Sequence, residues 1–140
     1  MIYQATRAIY DVLKNDEDLK VFIDEHDKAS EAWLGFRVDN GPSYRIHFIN
    51  NDNDNDTAVR VFALLNVDPE HKQKLLPVIN DLNCRYRFVK IVCDSDGDVH
   101  LEYDYPVKCS SPAESCGEIV ARFVKIIDDI YPDLMRAMWS

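Results

Sequence analysis

Ala32-Trp33-Leu34-Gly35-Phe36-Arg37-Val38, then Asp39-Asn40-Gly41-Pro42, then Tyr44-Arg45-Ile46-His47-Phe48 is the stretch that decides the fold. Leu34, Phe36 and Val38 alternate with Trp33, Gly35 and Arg37, a period of two that gives a β-strand one buried and one open face. Asn40-Gly41 is turn chemistry, and Pro42 lengthens the connection beyond two residues. The run from Tyr44 to Phe48 alternates again, so the two strands form an antiparallel hairpin.

Working outward, a polar loop from Asn50 to Asp56 leads to a third strand, about Ala58 to Leu65. Upstream, Ile2, Ala5, Ile9, Val12 and Leu13 share one face at helical spacing. Asp16 or Asp18 then caps an expected second, short helix carrying Leu19, Phe22 and Ile23. Downstream, Asp68-Pro69 reads as an N-cap followed by proline at the first helical position. That helix buries Leu75, Leu76, Ile79 and Leu82 and runs to about Asn83, with Pro77 predicting a kink or a later start near Gln73. Two more strands follow, near 86–93 and 99–105, joined by the hairpin turn Asp94-Ser95-Asp96-Gly97-Asp98. Ser111-Pro112-Ala113-Glu114 is a capping box for a last helix that buries Cys116, Ile119, Val120, Phe123, Ile127 and Ile130, with a kink or restart at Pro132. The expected fold class is therefore α+β: a five-stranded antiparallel sheet with helices on one face, in the order α-β-β-β-α-β-β-α.

The 140 residues suit one domain, 1–140, large enough to hold a core without disulfides or metals. A net charge of −9 repels phosphate and anionic lipid, so neither nucleic acid nor a membrane is the expected partner. Arg85-Tyr86-Arg87-Phe88-Val89-Lys90 interleaves basic and aromatic residues, and against that charge it reads as a strand with a basic edge. The N-terminus lacks the basic start and long apolar stretch of a signal peptide, which leads to a cytoplasmic expectation. Cys84, Cys93, Cys109 and Cys116 form no Cys-x-x-Cys pair and read as free thiols.

Chemistry-bearing motifs are few. Asn50-Asn51-Asp52-Asn53-Asp54-Asn55-Asp56 is rich in oxygen, but counting from Asp52 puts Thr57 and Ala63 where a calcium loop needs glycine and glutamate. It reads as a solvated turn, with a divalent-cation-responsive domain as an alternative. His47 and His100 fall at the polar phase of their strands, and a small enzyme using both on the exposed sheet face is the other alternative. No nucleophile elbow, phosphate loop or dinucleotide fingerprint occurs, and no cofactor is expected.

Ile79-Asn80-Asp81-Leu82-Asn83-Cys84-Arg85-Tyr86-Arg87-Phe88 runs an Asn-x-Leu-Asn helix end into an Arg/Tyr/Phe strand. The Asp-Gly hairpin, Leu101-Glu102-Tyr103-Asp104-Tyr105 and Tyr131-Pro132-Asp133-Leu134-Met135-Arg136 follow. Over about Pro69 to Trp139 this resembles the bacterial YbjN family of sensory transduction regulators. The resemblance implies a fold similar to class I type III secretion chaperones and carries no catalytic residues. Asn80 and Asn83 read as helix-terminating residues. The expected function is a non-enzymatic protein-binding or regulatory module, a possible homodimer, with Trp33, Met135, Met138 and Trp139 as candidate contacts to a protein partner.

Overall fold

The computed structural model describes residues 1–51, 56–106 and 112–139. Six antiparallel strands form one sheet: β1 (Phe22–Glu25), β2 (Ala29–Arg37), β3 (Ser43–Asn51), β4 (Asp56–Asn66), β5 (Lys90–Cys93) and β6 (Asp98–Pro106), ordered β1-β2-β3-β4-β6-β5. Three α-helices accompany them: α1 (Gln4–Asp11), α2 (Pro69–Arg85) and α3 (Pro112–Trp139). Alternation decides the layers. Ala32, Leu34, Ile46, Phe48, Val59, Val61, Val99 and Leu101 are buried and join Ile9, Leu75, Leu82, Phe123, Ile127 and Leu134 of the helices in one core. The intervening residues of the same strands face the other way, so all three helices lie on one side of the sheet.

The sheet has six strands where the sequence reading expects five. The difference is β1, which replaces the expected helix over Leu19, Phe22 and Ile23. α1 ends in a π-helical turn, Val12–Asp16, and Asp18 takes a left-handed φ of 53° that reverses the chain. Helix cannot continue through that conformation, and the following segment pairs with β2, placing Phe22 opposite Trp33. Of the alternatives expected at the two prolines, the later start near Gln73 and the restart after Pro132 do not occur: α2 begins at Pro69, and α2 and α3 each run on through the proline. Leu76, expected in the core, is exposed. The Asp68 cap is as expected, its Oδ1 accepting the His71 N–H at 2.9 Å. Ser111 of the capping box lies outside the described residues.

A buried polar row sets the register. Ser30, Asn50 and Thr57 are cross-strand partners on β2, β3 and β4, and all are fully buried. Asn50 donates from Nδ2 to Thr6 Oγ1 of α1 at 2.8 Å and accepts the Thr57 hydroxyl at 2.6 Å. Ser30 donates to Thr6 Oγ1 at 2.8 Å and accepts the Tyr3 N–H at 3.0 Å. A one-residue slip of any strand would turn these groups away from one another, so the row pins the register that also sets the open face.

Candidate functional site

That register lines up Phe22, Trp33, His47, Arg60, Glu102 and Lys90 in one row across all six strands, on the face turned away from the helices. Five rings make a continuous stripe there. Phe22 stacks on Trp33 with centroids 4.4 Å apart, and Trp33 lies 6.3 Å from His47. Phe62 is 5.4 Å from His47 and 5.5 Å from His100. Phe22 and Phe62 are 40% and 43% exposed, among the most exposed large apolar side chains described. Exposed aromatic surface is costly in water, and a contiguous run of it marks a contact surface more often than a lone residue does.

Polar groups hold the rings in place. Trp33 Nε1–H donates to Asp24 at 2.7 Å, and the Arg45 guanidinium lies 4.1 Å over its ring. Glu31 accepts from His47 Nδ1 at 2.8 Å and from His26 Nε2 at 3.2 Å. Arg60 pairs with Asp104 at 2.6 Å and approaches Glu102 at 3.8 Å, while Lys90 reaches Glu102 at 3.7 Å. Locked aromatic side chains lose little entropy on binding, which suits them to recognition.

Phe62 owes its exposure to a bulge. The β4–β6 register shifts between Val61 and Leu65, and Ala63 adopts a left-handed φ of 53°. Phe62 and Ala63 therefore both face outward, and Leu64 returns to the core. The Ala63 N–H, displaced from the ladder, donates to His100 Nδ1 at 2.9 Å. With Nδ1 accepting, the His100 proton sits on Nε2, which donates to Asp94 at 2.8 Å.

This fixes what the two histidines do. His47 and His100 share the exposed face, as expected from their phase, but the Phe62 ring separates them and each binds its own carboxylate. The structure does not bring them together as a catalytic pair. Asp94, Asp98 and His100 do place three possible metal-ligand atoms within 4.8 Å of one another. Their hydrogen bonds argue against an ion. A metal needs the Nε2 lone pair, yet moving the proton to Nδ1 would set it against the Ala63 N–H. Asp94 also accepts from the Asp96 and Asp98 N–H groups at 2.9 and 3.0 Å, and Asp98 accepts from Asn66 Nδ2 at 2.8 Å. The cluster is a clasp for the hairpin. These same bonds hold the Asp94 carboxyl below its ordinary range, the His100 hydrogen bond first.

Of the acidic loop expected as a turn or cation site, residues 52–55 lie outside the described residues. Asn50, at its start, is buried in the polar row, its side-chain amide engaged by Thr6 and Thr57.

The four expected contact residues do not form one surface. Trp33 is in the ring stripe, whereas Met135, Met138 and Trp139 lie at the C-terminal end of α3. Met138 packs partly against the core, and Trp139 is 78% exposed. The stripe partners Phe22 and Phe62 carry no clear signal in the sequence, because Phe22 falls at helical spacing with Leu19 and Ile23 and the bulge at Ala63 leaves no pattern in strict alternation.

The family-like segment also proves structural, in a way that corrects the expected helix-ending role. Asn83 lies inside α2, and its amide donates to the Ile91 carbonyl at 3.0 Å and accepts the Ile91 N–H at 2.8 Å. One side chain thus occupies both main-chain groups of Ile91 on the edge strand β5 and blunts that edge. The family model for T3SS (YopN, CesT) and YbjN peptide-binding chaperone 1 matches residues 38–138. The chain belongs to this family. Comparison with curated proteins finds no match. Among the described residues no helix is long and apolar enough to cross a membrane.

Proposed function

We propose that this family member is a non-enzymatic module that binds peptide segments of protein partners across the ring stripe of its helix-free sheet face. The observation that carries the reading is the stripe itself: five contiguous rings on five strands, with Phe22 and Phe62 each about two-fifths exposed to water. Membership of a family of peptide-binding chaperones supports a protein partner. The Asn83 bracket supports the face over the β5 edge, because a peptide strand adding there would compete with its hydrogen bonds to Ile91.

The enzyme alternative is disfavoured by the separation of His47 from His100, and the cation alternative by the engaged atoms of Asn50 and of the Asp94 clasp. Free thiols at Cys84, Cys93 and Cys116 fit a reducing, cytoplasmic setting. A homodimer is proposed alongside; light scattering that finds only monomer at micromolar concentration would overturn that part. For the binding face, Phe22→Ser/Phe62→Ser should fold as the parent does and lose capture of unfolded client peptides. Unchanged capture would move the site elsewhere, with the Met135–Trp139 end of α3 next in line.

A further inference from the structure

Gly35 sits in the middle of β2, where glycine costs roughly 0.5–1 kcal/mol relative to alanine. The fold supplies no reason for it. Its φ is not among the left-handed values, which fall at Gly97 alone of the glycines. The β2–β3 register runs unbroken past it, so there is no bulge. A Cβ placed there would meet nothing closer than the Tyr44 carbonyl oxygen at 3.8 Å, an ordinary contact. A strand glycine with neither conformational nor packing need marks a place where another molecule approaches the backbone.

The surroundings say what kind. On the open face Gly35 lies between Trp33 and Arg37 of its own strand and directly opposite Arg45. Beside this notch, Lys20 lies 5.6 Å over the Phe22 ring. Arg37 donates to the Gly41 carbonyl, and Arg45 rests on the Trp33 ring. Among the described residues none of Lys20, Arg37 and Arg45 has a carboxylate within ion-pair distance, whereas the Arg60 end of the face is neutralised by Glu102 and Asp104. In a chain with 25 acidic residues against 16 basic ones, this corner gathers three cations without ion-paired carboxylates, while the cross-strand acids beside it are engaged, Asp24 by the Trp33 Nε1–H and Glu31 by His47 and His26.

We infer that the Gly35 notch receives an acidic side chain of a bound extended peptide, with an adjoining apolar residue of that peptide on the Phe22–Trp33 pair. Arginine is suited to this, since its planar fork grips a carboxylate while its other face stays on a ring. The inference rests on the peptide-binding reading and names its specificity.

The test starts from a displayed random-peptide library panned on the full chain. Recovered sequences should pair Asp or Glu with a neighbouring aromatic or aliphatic residue. A recovered peptide, labelled for fluorescence anisotropy, should bind Gly35→Val at least about tenfold more weakly, while thermal unfolding of the variant matches or exceeds the parent. Gly35→Ala serves if valine disturbs the fold. Exchanging the peptide's acids for Asn or Gln should weaken binding comparably, an arm that needs no variant. Peptides without acidic enrichment, or equal affinity for the parent and the Gly35 variants, would overturn the inference and leave peptide binding standing. Recovery no better than a blank surface would overturn both.

Discussion

Asn50→Ala removes the centre of the buried polar row, and its cost can be worked from the bonds it breaks. Two go directly: Nδ2 to Thr6 Oγ1 at 2.8 Å and Thr57 Oγ1 to Oδ1 at 2.6 Å. Each such bond is worth about 1 kcal/mol net. Thr6 keeps its contacts with Ser30, but the fully buried Thr57 hydroxyl loses its Asn50 acceptor, which adds about 1–2 kcal/mol of unrecovered desolvation. The sum is about 3–4 kcal/mol, a large part of the roughly 5–15 kcal/mol that holds a domain of this size. With a urea slope of about 2 kcal/mol/M, the unfolding midpoint followed by circular dichroism should fall by roughly 1.5–2 M. Adding Thr57→Val to the alanine variant should cost little more or recover part of the loss, because the stranded hydroxyl is then gone. A midpoint shift under about 0.3 M, or a double variant whose loss is the plain sum of the single ones, would refute the network as the register lock.

Other outcomes follow from single residues. Gly97→Ala should destabilise by about 3 kcal/mol in the same assay, since φ is +83° and a Cβ would come within 2.0 Å of the Val67 carbonyl oxygen. Asn83→Ala should expose the Ile91 main chain, costing about 2 kcal/mol and raising aggregation seen by light scattering at high protein concentration. Burial, with a smaller effect from nearby Tyr131, pushes the Tyr44 hydroxyl up to about 12 from its ordinary 10.0. Its folded value is the raised one, so this contribution is whole below pH 10 and is lost as pH rises towards 12; stability measured over that window should fall, and Tyr44→Phe should flatten the fall. Asp94 and Asp68 carry the opposite sign. Hydrogen bonds depress both carboxyls below 3.8, so their contribution is present above that pH and lost below it, and Asp94→Asn should soften the acid limb of the unfolding profile.

The regular parts of this fold were open to reading from pattern alone. Leu34 and Phe36, then Ile46 and Phe48, alternate strictly, and Asp68-Pro69 announces its helix, because in these places local preference and tertiary packing agree. β1 was hidden because an edge strand of four residues, with one half-buried position among exposed ones, carries too little periodicity to outweigh a helical spacing of Leu19, Phe22 and Ile23. α2 kept its length through Pro77 because the proline is on the exposed side and the helix is held by Leu75, Ile79 and Leu82 in the core. The site was half legible. Trp33, His47 and His100 could be placed on the open face by phase. Phe62 could not, because the bulge at Ala63 depends on a histidine thirty-seven residues away accepting its N–H. Asn83 stands out by its Asn-x-Leu-Asn motif, while its partner Ile91 lies across a turn that spacing does not reveal.

Trp33 offers the most direct measurement, since it lies in the stripe while the other tryptophan, Trp139, ends α3. In Trp139→Phe, the emission of Trp33 should change saturably as an acidic-apolar peptide is added, and Phe62→Ala should weaken the binding about tenfold or more. Binding of the peptide that leaves Trp33 emission unchanged and is indifferent to Phe62→Ala would contradict the assignment of this face.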